Sequence, residues 1–129
     1  MPSIRLVRGS HLVVKKQYDH EKAYFLQGRD GRIVFAIPYE QDFTLIGTTD
    51  VDHDSAQIKP VCTDEERDYL LKCVNLYFSK PVTKEDIVWC YSGIRPLYQD
   101  CAAVSTSATR DYVLKVDKSD APLLTIYGG

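Results

Sequence analysis

An α+β fold, with a largely antiparallel sheet and one main helix packed on one of its faces, is what three features of this 129-residue sequence predict. Short runs rich in Val, Ile, Tyr and Phe alternate with turn signals, the pattern of neighbouring strands. One segment, beginning at Thr63, has helical periodicity over several turns. No repeat, low-complexity tract or Gly/Ser linker divides the chain, so one unit around one core is expected.

The elements follow in order. His11-Leu12-Val13-Val14 reads as a strand and Ala23-Tyr24-Phe25-Leu26 as a second. Asp30-Gly31 then precedes the apolar run Arg32 to Tyr39, and Asp-Gly between two such runs is a hairpin signal. The polar turn Glu40-Gln41-Asp42 leads into a further strand from Phe43 to Thr49. Thr63-Asp64-Glu65-Glu66 matches a capping box, in which the threonine hydroxyl and the Glu66 carboxylate satisfy free amides at a helix start. Tyr69, Leu70, Cys73, Val74 and Tyr77 follow at helical spacing, so a helix from Thr63 to Ser79, closed by Pro81, should pack one face on the sheet. Thr83 to Asp86 predicts a single helical turn. Ile87 to Tyr91, Asp111 to Val116 and Leu123 to Tyr127 complete the strands. The sheet face away from the helix must be solvated or covered by something outside this chain.

Composition narrows the classes of function. A hydrophobic share of 44% beside 26% charged residues is ordinary for a globular domain and argues against disorder. The net charge of -2 offers no general attraction for nucleic acid or an anionic membrane, so any anion site must be local. No run approaches the ~18 apolar residues of a membrane span, and the start of the chain lacks the apolar stretch of a signal peptide. Cys62, Cys73, Cys90 and Cys101 form no C-x-x-C pair and read as scattered reduced thiols, which points to a cytoplasmic setting.

Three places could carry chemistry. In Tyr91-Ser92-Gly93-Ile94-Arg95-Pro96-Leu97, Pro96 biases Arg95 toward an extended backbone, and Gly93 lets another group approach closely. A guanidinium projected from such an edge suits a phosphate or carboxylate, because its planar fork donates parallel, charge-assisted hydrogen bonds; a structural ion pair is the competing reading. Arg110, read as opening a strand, has Asp111 beside it, but neighbours in a strand point to opposite faces. His11, read at a strand start after Arg8-Gly9-Ser10, can exchange a proton near neutral pH or be merely structural. No metal is expected: Asp50 to Asp54 superficially resembles a calcium loop, but Ser55 stands where the turn glycine belongs and Val61 where the last glutamate belongs. Gly28 to Arg32 lacks the G-x-G-x-x-G spacing of a dinucleotide fold, so no autonomous FAD fingerprint is present.

Taken in order, Arg8-Gly9-Ser10-His11, Ile37-Pro38-Tyr39, Leu45 to Asp50, Tyr91 to Leu97, Thr109-Arg110-Asp111-Tyr112 and Tyr127-Gly128-Gly129 resemble FAD-dependent glycerol-3-phosphate dehydrogenases over nearly the whole chain. The resemblance implies a mixed sheet whose uncovered face lies over the flavin, within a longer flavoprotein that carries the FAD-binding glycine motif upstream and a helical domain downstream. It implies oxidation of sn-glycerol 3-phosphate to dihydroxyacetone phosphate, with a hydride passing from C2 to FAD and electrons onward to quinone. By motif position it makes Arg95 the arginine at the substrate phosphate, Arg110 a second active-site arginine, and His11 the histidine near the reacting oxygen. The resemblance further implies that Gly93, Gly128 and Gly129 border the cofactor. The parent is then expected in the cytoplasm or peripherally on the cytoplasmic membrane, with homo-oligomers open to it.

The sequence departs from the family pattern at Cys101 to Ser107, which is less acidic than usual, and at His53, where an aromatic residue is common. The final strand runs straight into Gly128-Gly129, as expected of an internal piece of a longer protein, and such a piece alone should neither hold FAD nor turn over substrate. Two rivals remain at this level: a glycerol-phosphate oxidase that uses O2, and a ligand-binding module without catalysis.

Overall fold

The computed structural model describes residues 4–99 and 107–128. Its strands are β1 (Ile4–Lys15), β2 (Tyr24–Gln27), β3 (Ile33–Tyr39), β4 (Phe43–Gly47), β5 (Val51–Asp52), β6 (Ile87–Tyr98), β7 (Val113–Asp117) and β8 (Leu123–Tyr127), with the helix α1 (Asp64–Val74) between β5 and β6. β1 organises the main sheet. Along one side it pairs β4 through His11–Lys15 and then β5 through Val7 and Arg8, and along the other it pairs β6 over nearly its whole length. β2 and β3 extend the sheet beyond β4, while β7 and β8 pair with each other. All of these pairings are antiparallel, which joins with α1 to give the expected α+β architecture.

β1 is longer than the sequence pattern indicated, and His11 therefore lies well inside it rather than at its start. The reason is that Arg5, Arg8, Gly9 and Ser10 break the apolar alternation, while pairing with β6 carries the strand on through them. β6 likewise continues through Gly93, Arg95 and Pro96 to Tyr98. Proline is tolerated there because, among the described residues, β6 has only β1 beside it in the sheet, and an edge strand can do without one amide donor.

Strand alternation divides the sheet faces. Leu12, Val14, Leu26, Val34, Ala36 and Ile46 point to one side, where Leu70, Leu71, Cys73 and Val74 of α1 close over them to form the core. Fully burying one such side chain contributes roughly 1.5–3 kcal/mol, so this layer carries much of the fold. Gly9, His11 and Val13 point the other way. That second face is open: Phe25 is 65% exposed, Phe35 42% and Trp89 57%.

The capping box holds as expected, with Thr63 as the cap and Glu66 returning to the Thr63 amide at 2.9 Å. The helix ends at Val74, however, short of Ser79. Asn75 stops it by pairing twice with the returning chain, its Nδ2 donating to the Val82 carbonyl at 2.9 Å and its Oδ1 accepting from the Val82 amide at 2.8 Å. Tyr77, expected on the apolar helix face, instead reaches out to donate to the Gln27 carbonyl. Arg110 precedes β7 rather than opening it, because the strand begins only at Val113.

Candidate functional site

The site forms where β4 leaves β1. His11 is the last β1 residue paired with β4 and Arg8 the first paired with β5, so the intervening backbone needs other partners. The Ser10 amide finds one in the Thr49 hydroxyl at 2.9 Å, and that hydroxyl in turn donates to Glu66 Oε1 at 2.7 Å. The same carboxylate accepts from the Ser10 hydroxyl at 2.8 Å and from Arg8 at 3.2 Å. Glu66 is only 4% exposed, so a residue of the helix cap pins the 48–50 loop from beneath the sheet. Burial alone would raise its pKa; the hydrogen bonds from Thr63, Thr49, Ser10 and Arg8 outweigh it and hold the carboxyl below its usual value.

On the open face the same loop meets two arginines. Arg95, opposite Val7 in the sheet, lays its guanidinium across Gly9, in the space a β-carbon there would occupy. It donates through Nη2 to the Thr48 hydroxyl at 3.1 Å and through Nη1 to the Thr49 carbonyl at 3.3 Å and Asp50 Oδ1 at 3.2 Å. Arg110 arrives from the segment before β7 and donates to the same Oδ1 at 2.9 Å. Its carboxylate partner is thus Asp50, distant in sequence, rather than the adjacent Asp111. Asp52 takes a separate two-point pair with Arg5, at 2.7 and 2.9 Å, so these two aspartates of the calcium-like stretch serve arginines.

His11 completes the face. Its ring fills the space above Gly47 on β4, where a side chain would collide with it, and stacks on Tyr91 of β6 with centroids 5.0 Å apart and planes 5° from parallel. Burial first, and the Arg95 charge second, lower its pKa below the usual 6.5, so the imidazole is neutral at pH 7. Its Nδ1 is buried without a hydrogen-bond partner among the described residues. A neutral ring beside a cationic clamp is suited to accept a proton from a hydroxyl held there.

The structure thus brings His11, Arg95 and Arg110 to one region, through Asp50 and the electrostatic contact of Arg95 with His11. Gly93, opposite Gly9, has open space where a β-carbon would stand, and leaves a bare stretch of strand near this cluster. Gly128 adopts φ +71°, a left-handed conformation that favours glycine, and passes close to the Asp111 carbonyl. Gly129 lies outside the described residues. Sequence reasoning gave no site role to Asp50, Gly9 or Gly47, and read Glu66 only as part of the helix cap. Glycines inside strands often mark a close approach by another group, and that signal was present at Gly9 and Gly47.

The open sheet face thus carries two arginines joined through Asp50 and, close to one of them, a histidine whose pKa is lowered. The model of FAD-dependent oxidoreductases matches residues 1–128, and the chain belongs to that family. Among its relatives, a glycerol-3-phosphate dehydrogenase from Pseudomonas tolaasii is 44% identical over 98% of this chain and 25% of its own length, and the aerobic glycerol-3-phosphate dehydrogenase of Escherichia coli is 43% identical over 98% and 26%. A D-erythritol 1-phosphate dehydrogenase from Brucella abortus is 41% identical over 98% and 26%. The crystal structure of the glycerol-3-phosphate dehydrogenase from Bacillus halodurans in complex with FAD superposes with a TM-score of 0.73 at 34% identity, covering 98% of this chain and 23% of that one. The chain therefore spans about a quarter of the length of the relatives it matches.

The residues present fit one side of a flavin. Bare backbone at Gly93 and the exposed aromatic face admit a planar ring system. The strand, glycine loop and helix that cradle a dinucleotide phosphate do not occur among the described elements. No helix among the described residues is long and apolar enough to cross a membrane.

Proposed function

We propose that this chain is the substrate-side domain of an FAD-dependent glycerol-3-phosphate dehydrogenase, oxidising sn-glycerol 3-phosphate to dihydroxyacetone phosphate with quinone as the final electron acceptor. The observation that carries the proposal is the convergence of Arg95 and Arg110 on one point beside the neutral ring of His11. Two guanidinium forks match a phosphate monoester, which presents several oxygens and up to two negative charges. Arg95 and Arg110 hold the phosphate end. His11 accepts the proton of the C2 hydroxyl at a ring nitrogen as the C–H bond breaks and the carbonyl forms. Bound flavin supplies the acceptor for the hydride released from C2. Gly93 and Gly128 border the cofactor in this reading, and the bare backbone at Gly93 keeps the approach there clear of side chains.

The relative named for D-erythritol 1-phosphate favours a second reading on equal chemistry, since both substrates are polyols with a terminal phosphate. The experiment is anaerobic bleaching of the flavin in the full-length protein. Glycerol 3-phosphate should bleach it, glycerol should not, and faster bleaching by D-erythritol 1-phosphate would move the assignment to that substrate. Bleaching by glycerol alone would remove the phosphate clamp from the proposal. Reoxidation by a quinone analogue rather than by O2 separates the dehydrogenase from an oxidase.

A further inference from the structure

Asp50 stands at the focus of the site, yet nothing in the proposed reaction uses it. We infer that Asp50 is a positioning residue whose carboxylate holds Arg95 and Arg110 together as a single oxyanion clamp. The inference rests on the reading of those two arginines as the phosphate-binding groups.

The two guanidiniums come from different parts of the chain. Arg95 belongs to β6 and Arg110 to the segment before β7, and both donate to Asp50 Oδ1, at 3.2 and 2.9 Å. Like charges so close repel, and the repulsion is largest when no substrate anion lies between them. One carboxylate shared by both offsets it, and it leaves the trio with a net positive charge for an incoming phosphate. Both arginine side chains remain accessible while paired with Asp50, at 32% and 43% exposure, so the joined pair can receive an anion without first separating. A preassembled clamp spares the substrate the cost of gathering its own ligands.

Asp50 is itself held from two sides. Behind it, the Thr49 hydroxyl donates to buried Glu66, and ahead of it Val51 pairs with Arg8 in the sheet. The Thr48 hydroxyl and the Thr49 carbonyl also accept from Arg95, so the loop fixes the plane of that fork as well as its position. An acid in a flexible loop would follow the arginines; here the loop is anchored to the helix cap and the arginines follow it.

The test uses the full-length flavoprotein, with kinetics normalised to bound flavin. Asp50→Asn keeps the shape and removes the charge. It should raise the KM for glycerol 3-phosphate roughly tenfold, the scale of one lost charge-assisted contact, and change kcat by a smaller factor. Asp50→Glu keeps the charge on a longer stem and should fall between Asn and wild type. A residue that acts through the arginines loses its effect when they are gone, so Asp50→Asn should add little to the KM of Arg95→Ala/Arg110→Ala. A residue with a purely structural role would shift both backgrounds by the same factor, and that result overturns the inference. So would an unchanged or lowered KM in Asp50→Asn, or failure of both Asp50 variants to bind flavin. If Arg95→Ala itself leaves KM at the wild-type value, the phosphate-clamp reading fails first; if it raises KM and Asp50→Asn does not, only the role of Asp50 fails.

Discussion

The guanidinium of Arg95 lies across the α-carbon of Gly9, occupying the volume that a β-carbon at position 9 would need. A strand glycine is ordinarily a weakness, worth about 0.5–1 kcal/mol against alanine. Here it is the floor on which the Arg95 guanidinium rests. Gly9→Ala should therefore leave the melting temperature unchanged or slightly raised while displacing Arg95 from Thr48 and Asp50. The expected kinetic effect is a roughly tenfold higher KM for glycerol 3-phosphate in the full-length enzyme. A wild-type KM in a normally folded Gly9→Ala protein would show that the position of Arg95 over Gly9 does not matter for binding.

Arg95→Ala should raise KM and lower kcat/KM by at least an order of magnitude, since a charge-assisted contact contributes roughly 1.5–3 kcal/mol and each ~1.4 kcal/mol is a factor of ten. Arg95→Lys should restore only part of the loss. An ammonium keeps the charge, but it cannot span Thr48, Thr49 and Asp50 as a planar fork does. Thermal melts alongside flavin-normalised kinetics separate lost binding from lost folding.

The acid limb of kcat/KM should lie below pH 6.5. His11 is held below that value by burial and, secondarily, by Arg95, so the proton-accepting form persists until the pH falls through its lowered pKa. Removing the charge in Arg95→Ala should move the limb upward toward 6.5. The sign for stability agrees: with the folded pKa below the unfolded one, any contribution from His11 is complete above pH 6.5 and is lost as pH falls through the lowered value. A pH–rate profile of the two proteins decides, and an acid limb that does not move would remove Arg95 as a cause.

Glu66→Gln should destabilise the domain by about 3–5 kcal/mol, the usual cost of leaving one member of a buried ion pair alone. Arg8 would lose its carboxylate, and the Thr49 and Ser10 hydroxyls would lose a charged acceptor. Because the folded pKa of Glu66 is lowered, its contribution is present above the ordinary glutamate value and disappears as pH falls through the folded one. Melting curves from neutral to strongly acidic pH should thus show the wild type losing stability in acid more steeply than Glu66→Gln.

The sequence by itself determined the local elements whose causes are local. The Asp30-Gly31 turn, with Gly31 at φ +82°, the Thr63–Glu66 capping box and the apolar alternation of β3 each follow from neighbours a few residues apart. The same is true of the residue types at the site, since a histidine and two arginines announce their chemistry wherever they fall. Other features depended on long-range contacts. The helix stopped at Val74 because Asn75 was captured by Val82, and β1 ran on through Gly9 and Ser10 because β6 and Thr49 supplied partners that the apolar pattern does not encode. Only the tertiary structure could choose Asp50 over Asp111 as the partner of Arg110, or place Gly47 beneath His11, because ion pairing and van der Waals exclusion act through space over a few ångströms. Those few ångströms join residues 60 positions apart in the pair of Arg110 with Asp50, a separation no local pattern spans.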